Sequence, residues 1–134
     1  MEYFYDQTSY NGLTITNGKG RRTGMCDHSP LGDCSEPDAG ITAWSYNEDG
    51  QVTTVQRTIA GVTKTFSFDY NLNGAPLITT YPSGFTLSHY YDTAGRPTNI
   101  TATMYPLGFL FNAPQAATYT SVRRVRKSYA QPLL

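Results

Sequence analysis

Two segments, YNLNGA at residues 70–75 and YDTAGR at 91–96, share a pattern: a tyrosine, an Asn or Asp, two variable residues and a glycine. The pattern recurs as YNEDGQ at 46–51 and, with Thr in the first place, as TNGKGR at 16–21; the glycine spacings are 30, 24 and 21 residues. Asn or Asp accepts hydrogen bonds from nearby backbone amides, and glycine supplies the positive φ that reverses the chain. Each segment is therefore predicted to be a tight turn. The residues that shape these turns are Tyr46, Asn47, Gly50, Tyr70, Asn71, Gly74, Tyr91, Asp92, Gly95 and Arg96.

Between the turns, apolar and polar residues alternate with the period of two that is typical of β-strands. Phe66, Phe68 and Tyr70 alternate with small polar residues, and the segment 87–91 repeats the pattern. A second turn also recurs, as YPSGF at 81–85 and YPLGF at 105–109, so each unit contains two strands and two turns. We predict β-hairpins near residues 42–59, 62–81 and 85–104. Stacking them would form one apolar face lined with aromatics and one Thr- and Ser-rich face exposed to water.

Composition supports an all-β fold. The 134 residues suffice for one domain; aromatic residues make up 13% and charged residues 15%, a mixture that favours strands over helices. No run of 18 apolar residues is present, and the first residues contain neither a basic nor an apolar signal region. The sequence therefore predicts neither a membrane span nor a signal peptide.

The phased Tyr-Asn/Asp-x-x-Gly turns resemble the YD repeat of the bacterial RHS family, which also occurs in teneurins. YDTAGR at 91–96 is the nearest match, and the resemblance covers roughly residues 3–109, with Tyr5-Asp6 as a remnant of a further copy. It implies a curved or spiralling antiparallel sheet that forms part of a hollow shell, commonly around a toxic C-terminal domain. It also implies flanking repeats or an enclosed effector domain as partners, and a cell-surface or secreted location as part of a larger protein.

The sequence departs from the family pattern at three turn positions and after the last repeat. Thr16 replaces the tyrosine of the first copy, and Gln51 and Ala75 replace arginine in the next two. The pattern stops after Phe109, so we assign 1–109 to the repeat region and 110–134 to an irregular, basic tail with a weak helical pattern after Pro114. The family's Asp-Pro-containing self-cleavage segment is absent, so no protease role is carried over.

An insertion at about residues 26–39 lengthens the first interval and contains both cysteines. Cys26 and Cys34 could be two free thiols, a disulfide that closes a small loop, or metal ligands together with His28 and a carboxylate. No zinc-type spacing of cysteines and histidines is present. The four acidic residues of the insertion do not follow the order of calcium ligands in an EF-hand loop. The three alternatives for the cysteines remain open at this stage, with no metal or cofactor predicted.

The charge is balanced only on average. Residues 1–92 hold 5 basic and 10 acidic groups, and residues 93–134 hold five basic and no acidic groups. Four of the five lie at 123–127, and only Tyr119 and Tyr129 flank this cluster, so we predict a solvated tail without nucleic-acid binding. His28 and His89 are the only histidines and neither accompanies a nucleophile motif, so no catalytic residues are predicted.

Two functional hypotheses follow. The first is a structural, non-enzymatic segment of an RHS/YD-repeat protein that builds shell wall and encloses or presents another domain. The alternative is a small module that binds carbohydrate or a cell-surface ligand through exposed aromatic rings such as Trp44.

Overall fold

The computed structural model describes residues 1–27, Cys34, 39–104 and, for the backbone alone, 109–113. Within these ranges the chain contains strands and turns and no helix. The strands are β1 (Glu2–Tyr5), β2 (Ser9–Tyr10), β3 (Leu13–Thr14), β4 (Arg22–Asp27), β5 (Gly40–Tyr46), β6 (Val52–Ile59), β7 (Val62–Tyr70), β8 (Pro76–Thr80), β9 (Phe85–Tyr91), β10 (Pro97–Met104) and β11 (Phe109–Ala113).

Nine strands form one antiparallel sheet in the order β1-β4-β5-β6-β7-β8-β9-β10-β11, and β2 pairs with β3. Apart from β2 and β3, which form a separate two-stranded sheet, each strand pairs with the next strand along the chain, as in a β-meander. The predicted all-β fold is confirmed, and the hairpins predicted at 42–59, 62–81 and 85–104 are β5–β6, β7–β8 and β9–β10. The predicted Phe109 boundary falls inside the sheet, since residues 110–113 continue as β11.

The strand registers separate two faces of the sheet. One, which we call the aromatic face, carries the cross-strand row Trp44, Val55 and Phe66, and Tyr81 lies 5.8 Å from Phe66 between ring centroids. The opposite face, the hydroxyl face, carries an unbroken cross-strand row over six strands. This row consists of Ser45, Thr54, Ser67, Thr80, Thr86 and Thr103.

Residues 7–19, which we call the inserted hairpin, contain β2 and β3 and cover the hydroxyl face at the β4–β6 end. Asn11 Nδ2 donates to Thr58 Oγ1 at 2.7 Å, and the Thr16 amide donates to Ser45 Oγ at 3.0 Å. Tyr10 lies against Gly24, where an added Cβ would come within 2.7 Å of two ring carbons. The prediction that the Thr- and Ser-rich face is exposed to water is therefore wrong at this end, because Ser45 is only 5% exposed.

Among the described residues, the buried side chains all lie within residues 15–45. They are Ile15, Thr23, Cys26, Ala39, Thr42, Ala43 and Ser45. From Tyr46 to Met104, no residue reaches the same burial. The sheet beyond β5 is therefore open on both faces within the described part of the chain.

Several sequence predictions lie outside the described residues. They are most of the predicted insertion, at 28–33 and 35–38, the repeated turn at 105–108, and the basic tail with its helical pattern at 114–134.

Candidate functional site

The turns at 70–75 and 91–96 have the same hydrogen bonding. The Asn71 amide donates to Ala75 O and the Gly74 amide to Asn71 O, each at 2.9 Å, and Asp92 forms the equivalent pair of bonds with Arg96 and Gly95. The Asn71 side-chain oxygen also accepts from the Ala75 amide at 2.9 Å, as Asp92 Oδ1 does from Arg96. An Asn or Asp side chain thus replaces the backbone partners that the reversed chain lacks.

The turn at 46–51 follows the same plan, with Asn47 as the acceptor. The Gln51 amide donates to Asn47 Oδ1 at 2.8 Å, and the Gly50 amide to Asn47 O at 3.1 Å. The three turns are therefore copies of one local structure.

The first turn is split, which corrects the prediction of one continuous turn at 16–21. The Asp6 amide donates to Arg21 O at 3.3 Å, and Asp6 Oδ1 accepts from the Gly20 amide. Tyr5 pairs with Arg22 across β1–β4, just as Tyr46 pairs with Val52 across the next hairpin. Tyr5 and Asp6 thus occupy the Tyr-Asp positions of this turn, and Gly20 and Arg21 occupy its Gly-Arg positions. The inserted hairpin separates these two halves along the chain.

The tyrosine of each later turn is hydrogen-bonded to the turn before it. Tyr70 Oη donates to Val52 O at 2.8 Å and Tyr91 Oη donates to Pro76 O at 2.7 Å, while Tyr46 Oη donates to Arg22 O. In each case the acceptor is the carbonyl of the first residue after the preceding turn. We call these three bonds the tyrosine ladder. They join four successive hairpins at the end of the sheet where these turns lie.

Long polar side chains make a second contact between successive turns. Gln51 Nε2 donates to Gly74 O at 3.0 Å, and the Arg21 guanidinium lies against Gly50 and 5.6 Å from the centroid of the Tyr46 ring. Both glycines have positive φ, +84° at Gly50 and +80° at Gly74. At these two junctions the last residue of one turn therefore packs on the glycine of the next, and a Cβ there would collide with it.

Burial and hydrogen bonding shift the pKa values of three turn residues. Burial raises the pKa of Tyr70 above its ordinary value; burial also raises the pKa of Tyr46, although the nearby Arg22 and Arg21 act in the opposite direction. Both hydroxyls therefore keep the proton that the ladder needs.

The carboxyl group of Asp92 shows the opposite shift in pKa. Its pKa is lowered, first by the hydrogen bond from the Arg96 amide and then by further bonds from the Arg96 side chain and the Ala94 amide. Arg96 Nη2 lies 2.7 Å from Asp92 Oδ2. The last described turn thus contains a carboxylate that is held in its charged form.

The two cysteines form a disulfide with Cα atoms 5.9 Å apart, and Cys26 is completely buried on β4. This separation is ordinary for a disulfide. Of the three alternatives drawn from the sequence, the structure contains the disulfide.

The other candidate residues lie apart from the turns. His89 is half-buried on β9 opposite Ile100, and His28 lies outside the described residues. The Arg22 guanidinium lies 4.7 Å from the centroid of the Trp44 ring, so one face of this ring is covered. Among the described residues, no group of three or more His, Cys, Asp or Glu side chains could hold a metal ion, and no helix could span a membrane.

The fold and the ladder define a protein built from repeated antiparallel β-hairpins. No family model matches the sequence, and no curated protein is similar to it at a significant level. Among solved structures, the crystal structure of TcdB2-TccC3-Cdc42 is similar in fold, with a TM-score of 0.57 and 17% sequence identity over 88% of this chain. The match spans 7% of that chain. The likeness is one of fold, between this chain and a small part of a far longer one.

Sequence reasoning missed the acceptors of the ladder, because backbone carbonyls carry no residue signature. The missed acceptors are on Arg22, Val52 and Pro76, each the first residue after a turn. The tyrosine that begins three of the four patterns was a signal for such a contact. A turn alone requires only the Asn or Asp and the glycine, so the tyrosine must have another role.

Proposed function

We propose that this chain is a wall segment of a larger protein of the RHS/YD-repeat kind, and that the wall encloses or presents another domain. The role is structural and not enzymatic. The observation that carries the proposal is the burial pattern: hairpins joined by the tyrosine ladder continue to Met104, yet no described residue from Tyr46 to Met104 is buried. Repeat units of this kind bury their surfaces against neighbouring units.

The similarity to a small part of a long chain supports the proposal through fold alone. A cell-surface or secreted location is also proposed, and the Cys26–Cys34 disulfide supports it because disulfides persist in oxidising compartments. Peptide mass mapping of the native protein without reduction would test this part. After cleavage on the amino side of aspartate, which separates the two cysteines at Asp27 and Asp33, we expect a linked peptide pair containing Cys26 and Cys34. Two alkylated cysteines would contradict it.

Sedimentation equilibrium of the purified chain tests the wall proposal. The described sheet beyond β5 is open on both faces, and a sheet of this kind is expected to associate, so the average mass should rise with protein concentration. The thermal midpoint should rise with it, since association stabilises the folded state. A stable monomer of 14.8 kDa at every concentration, with a constant midpoint, would contradict the proposal.

A further inference from the structure

The hairpin of β6 and β7 is longer than the neighbouring turn at the same end of the sheet. Val55 and Phe66 face each other across this hairpin, and ten residues, 56–65, lie between them. The turn between β8 and β9 is closed by Tyr81 and Phe85, with only three residues between them. β8 pairs with β7 only beyond Phe66. Residues 56–65, which we call the projecting hairpin, therefore extend past the β8–β9 turn.

The tip of the projecting hairpin is apolar and exposed. Ile59 pairs with Val62, and the exposed fractions of these residues are 50% and 57%. Ala60 and Gly61, which lie between them, are also exposed. Apart from the chain neighbours of Gly61, no atom of the described residues lies within 4 Å of the position of a Cβ added there. The tip is thus a convex surface of four consecutive residues without a polar side chain.

The turn at this tip contains alanine where the backbone favours another residue. Ala60 has a φ of +47°, a left-handed conformation that Asn and Gly adopt more readily. An Asn would relieve this strain but would place a polar amide at the tip. Strained backbone of this kind is concentrated at functional sites. The alanine therefore keeps the tip apolar at a cost in stability.

Two cations lie directly behind the tip, on the aromatic face. Arg57 pairs with Lys64 across the hairpin, and like charges in such a pair repel each other. Asp27 Oδ2 lies 3.9 Å from Arg57 Nη2, whereas Lys64 is exposed and forms no ion pair within the described part of the chain. The opposite face of the hairpin contacts the inserted hairpin, through the bond from Asn11 to Thr58. The cations therefore lie on the face away from the inserted hairpin, with one positive charge in excess.

We propose that the projecting hairpin is a contact site for an anionic lipid membrane. Ile59, Ala60 and Val62 enter the interfacial region of the bilayer, and Arg57 and Lys64 bind the anionic groups of the lipids. A fluid lipid surface accommodates a convex apolar tip without a preformed pocket. An electrostatic contact with an acidic protein would account for the cations but not for the apolar tip. The contact uses one hairpin and is independent of the wall role.

Flotation of the purified chain with lipid vesicles tests this proposal, because a chain that associates with itself does not float without lipid. Vesicles of phosphatidylcholine and phosphatidylserine should bind the chain more strongly than vesicles of phosphatidylcholine alone. Combining Ile59→Ser and Val62→Ser should lower binding to the mixed vesicles by about tenfold, and Lys64→Gln should lower it by about fivefold. Leu72→Ser is the control, because Leu72 is fully exposed in a turn at the opposite end of β7, and it should leave binding unchanged.

A further variant, Ala60→Asn, separates binding from folding. It should raise the thermal midpoint, because Asn suits the left-handed backbone, and should lower vesicle binding by about threefold, because an amide enters the tip. A loss of binding in this variant therefore has no explanation in unfolding.

Three results would overturn the proposal. The first is failure of the chain to float with the mixed vesicles. The second is binding that is equal in the chain and in all the tip variants, which would assign it to another basic segment such as residues 123–127. The third is retention on immobilised polyglutamate that depends on Lys64, without flotation, which would assign the site to an acidic protein.

Discussion

The hydroxyl of Tyr70 donates to the carbonyl oxygen of Val52 at 2.8 Å, across the boundary between two hairpins. This bond joins side chain to backbone, so its geometry is independent of the side chain at position 52. The ladder can therefore connect turns of different sequence.

Removal of this hydroxyl should destabilise the chain. Tyr70→Phe is expected to lower the free energy of unfolding by about 1 kcal/mol, because the ring stays in place and Val52 O loses its partner. Denaturant titration measures the change, with an unaltered m-value expected. Tyr90→Phe is the control, since Tyr90 is half exposed and its hydroxyl lies 3.5 Å from Thr101 Oγ1. Equal losses in the two variants would contradict a special role for the ladder.

A side chain at Gly74 should strain the turn and disturb its neighbour. Gly74→Ala is expected to cost about 1–2 kcal/mol from the positive φ alone, and the new Cβ would meet Gln51 Nε2 at 2.9 Å. Gly40→Ala is the matched control, because the φ of Gly40 is not positive and an added Cβ there makes ordinary contacts at 3.5 Å. Thermal unfolding of the two variants gives the comparison, and a Gly74→Ala chain as stable as the Gly40→Ala chain would refute the turn geometry.

The turn between β6 and β7 offers a stabilising change. Ala60 and Gly61 have φ of +47° and +74°, the signs of a type I′ turn, in which alanine is strained and Asn-Gly is preferred. Ala60→Asn is expected to raise the free energy of unfolding by about 0.5–1 kcal/mol. Ala94→Asn, at an exposed turn position without positive φ, should change it little. A loss of stability in Ala60→Asn would show that residue 60 is not left-handed.

The ion pair between Asp92 and Arg96 should make the stability of the folded chain depend on pH. The pKa of Asp92 is lowered in the folded chain, so its contribution is present above the ordinary value of 3.8 and is lost as the pH falls through the lower, folded value. Asp92→Asn keeps the side-chain oxygen that Asn71 supplies in its own turn, but loses the charge. Wild type should therefore unfold at a higher temperature than this variant at pH 6, with the difference shrinking below pH 4. A constant difference from pH 2 to pH 7 would contradict the assignment.

The sequence predicts the interior of this fold well, because its signals are local. An Asn or Asp and a glycine within one hexapeptide are enough to place a turn, and the alternation in residues 65–70 is enough to place Phe66 and Ser67 on opposite faces. The glycine of each interior turn has the positive φ that the pattern requires, as at Gly95.

The first repeat was predicted incorrectly because its parts are separated along the chain. Tyr5-Asp6 and Gly20-Arg21 form one turn, but the inserted hairpin places 13 residues between them, and a search for a contiguous pattern selects Thr16 in place of Tyr5. The same insertion explains why Ser45 is buried. Neither effect has a local signature, since both depend on where residues 7–19 fold back.

The size of the native product in its source cells tests the account most directly. An immunoblot with an antibody raised against residues 85–104 measures it, and recombinant chain provides the size standard. A wall segment of a larger repeat protein predicts a band several times larger than 14.8 kDa. A single band at 14.8 kDa would contradict the account.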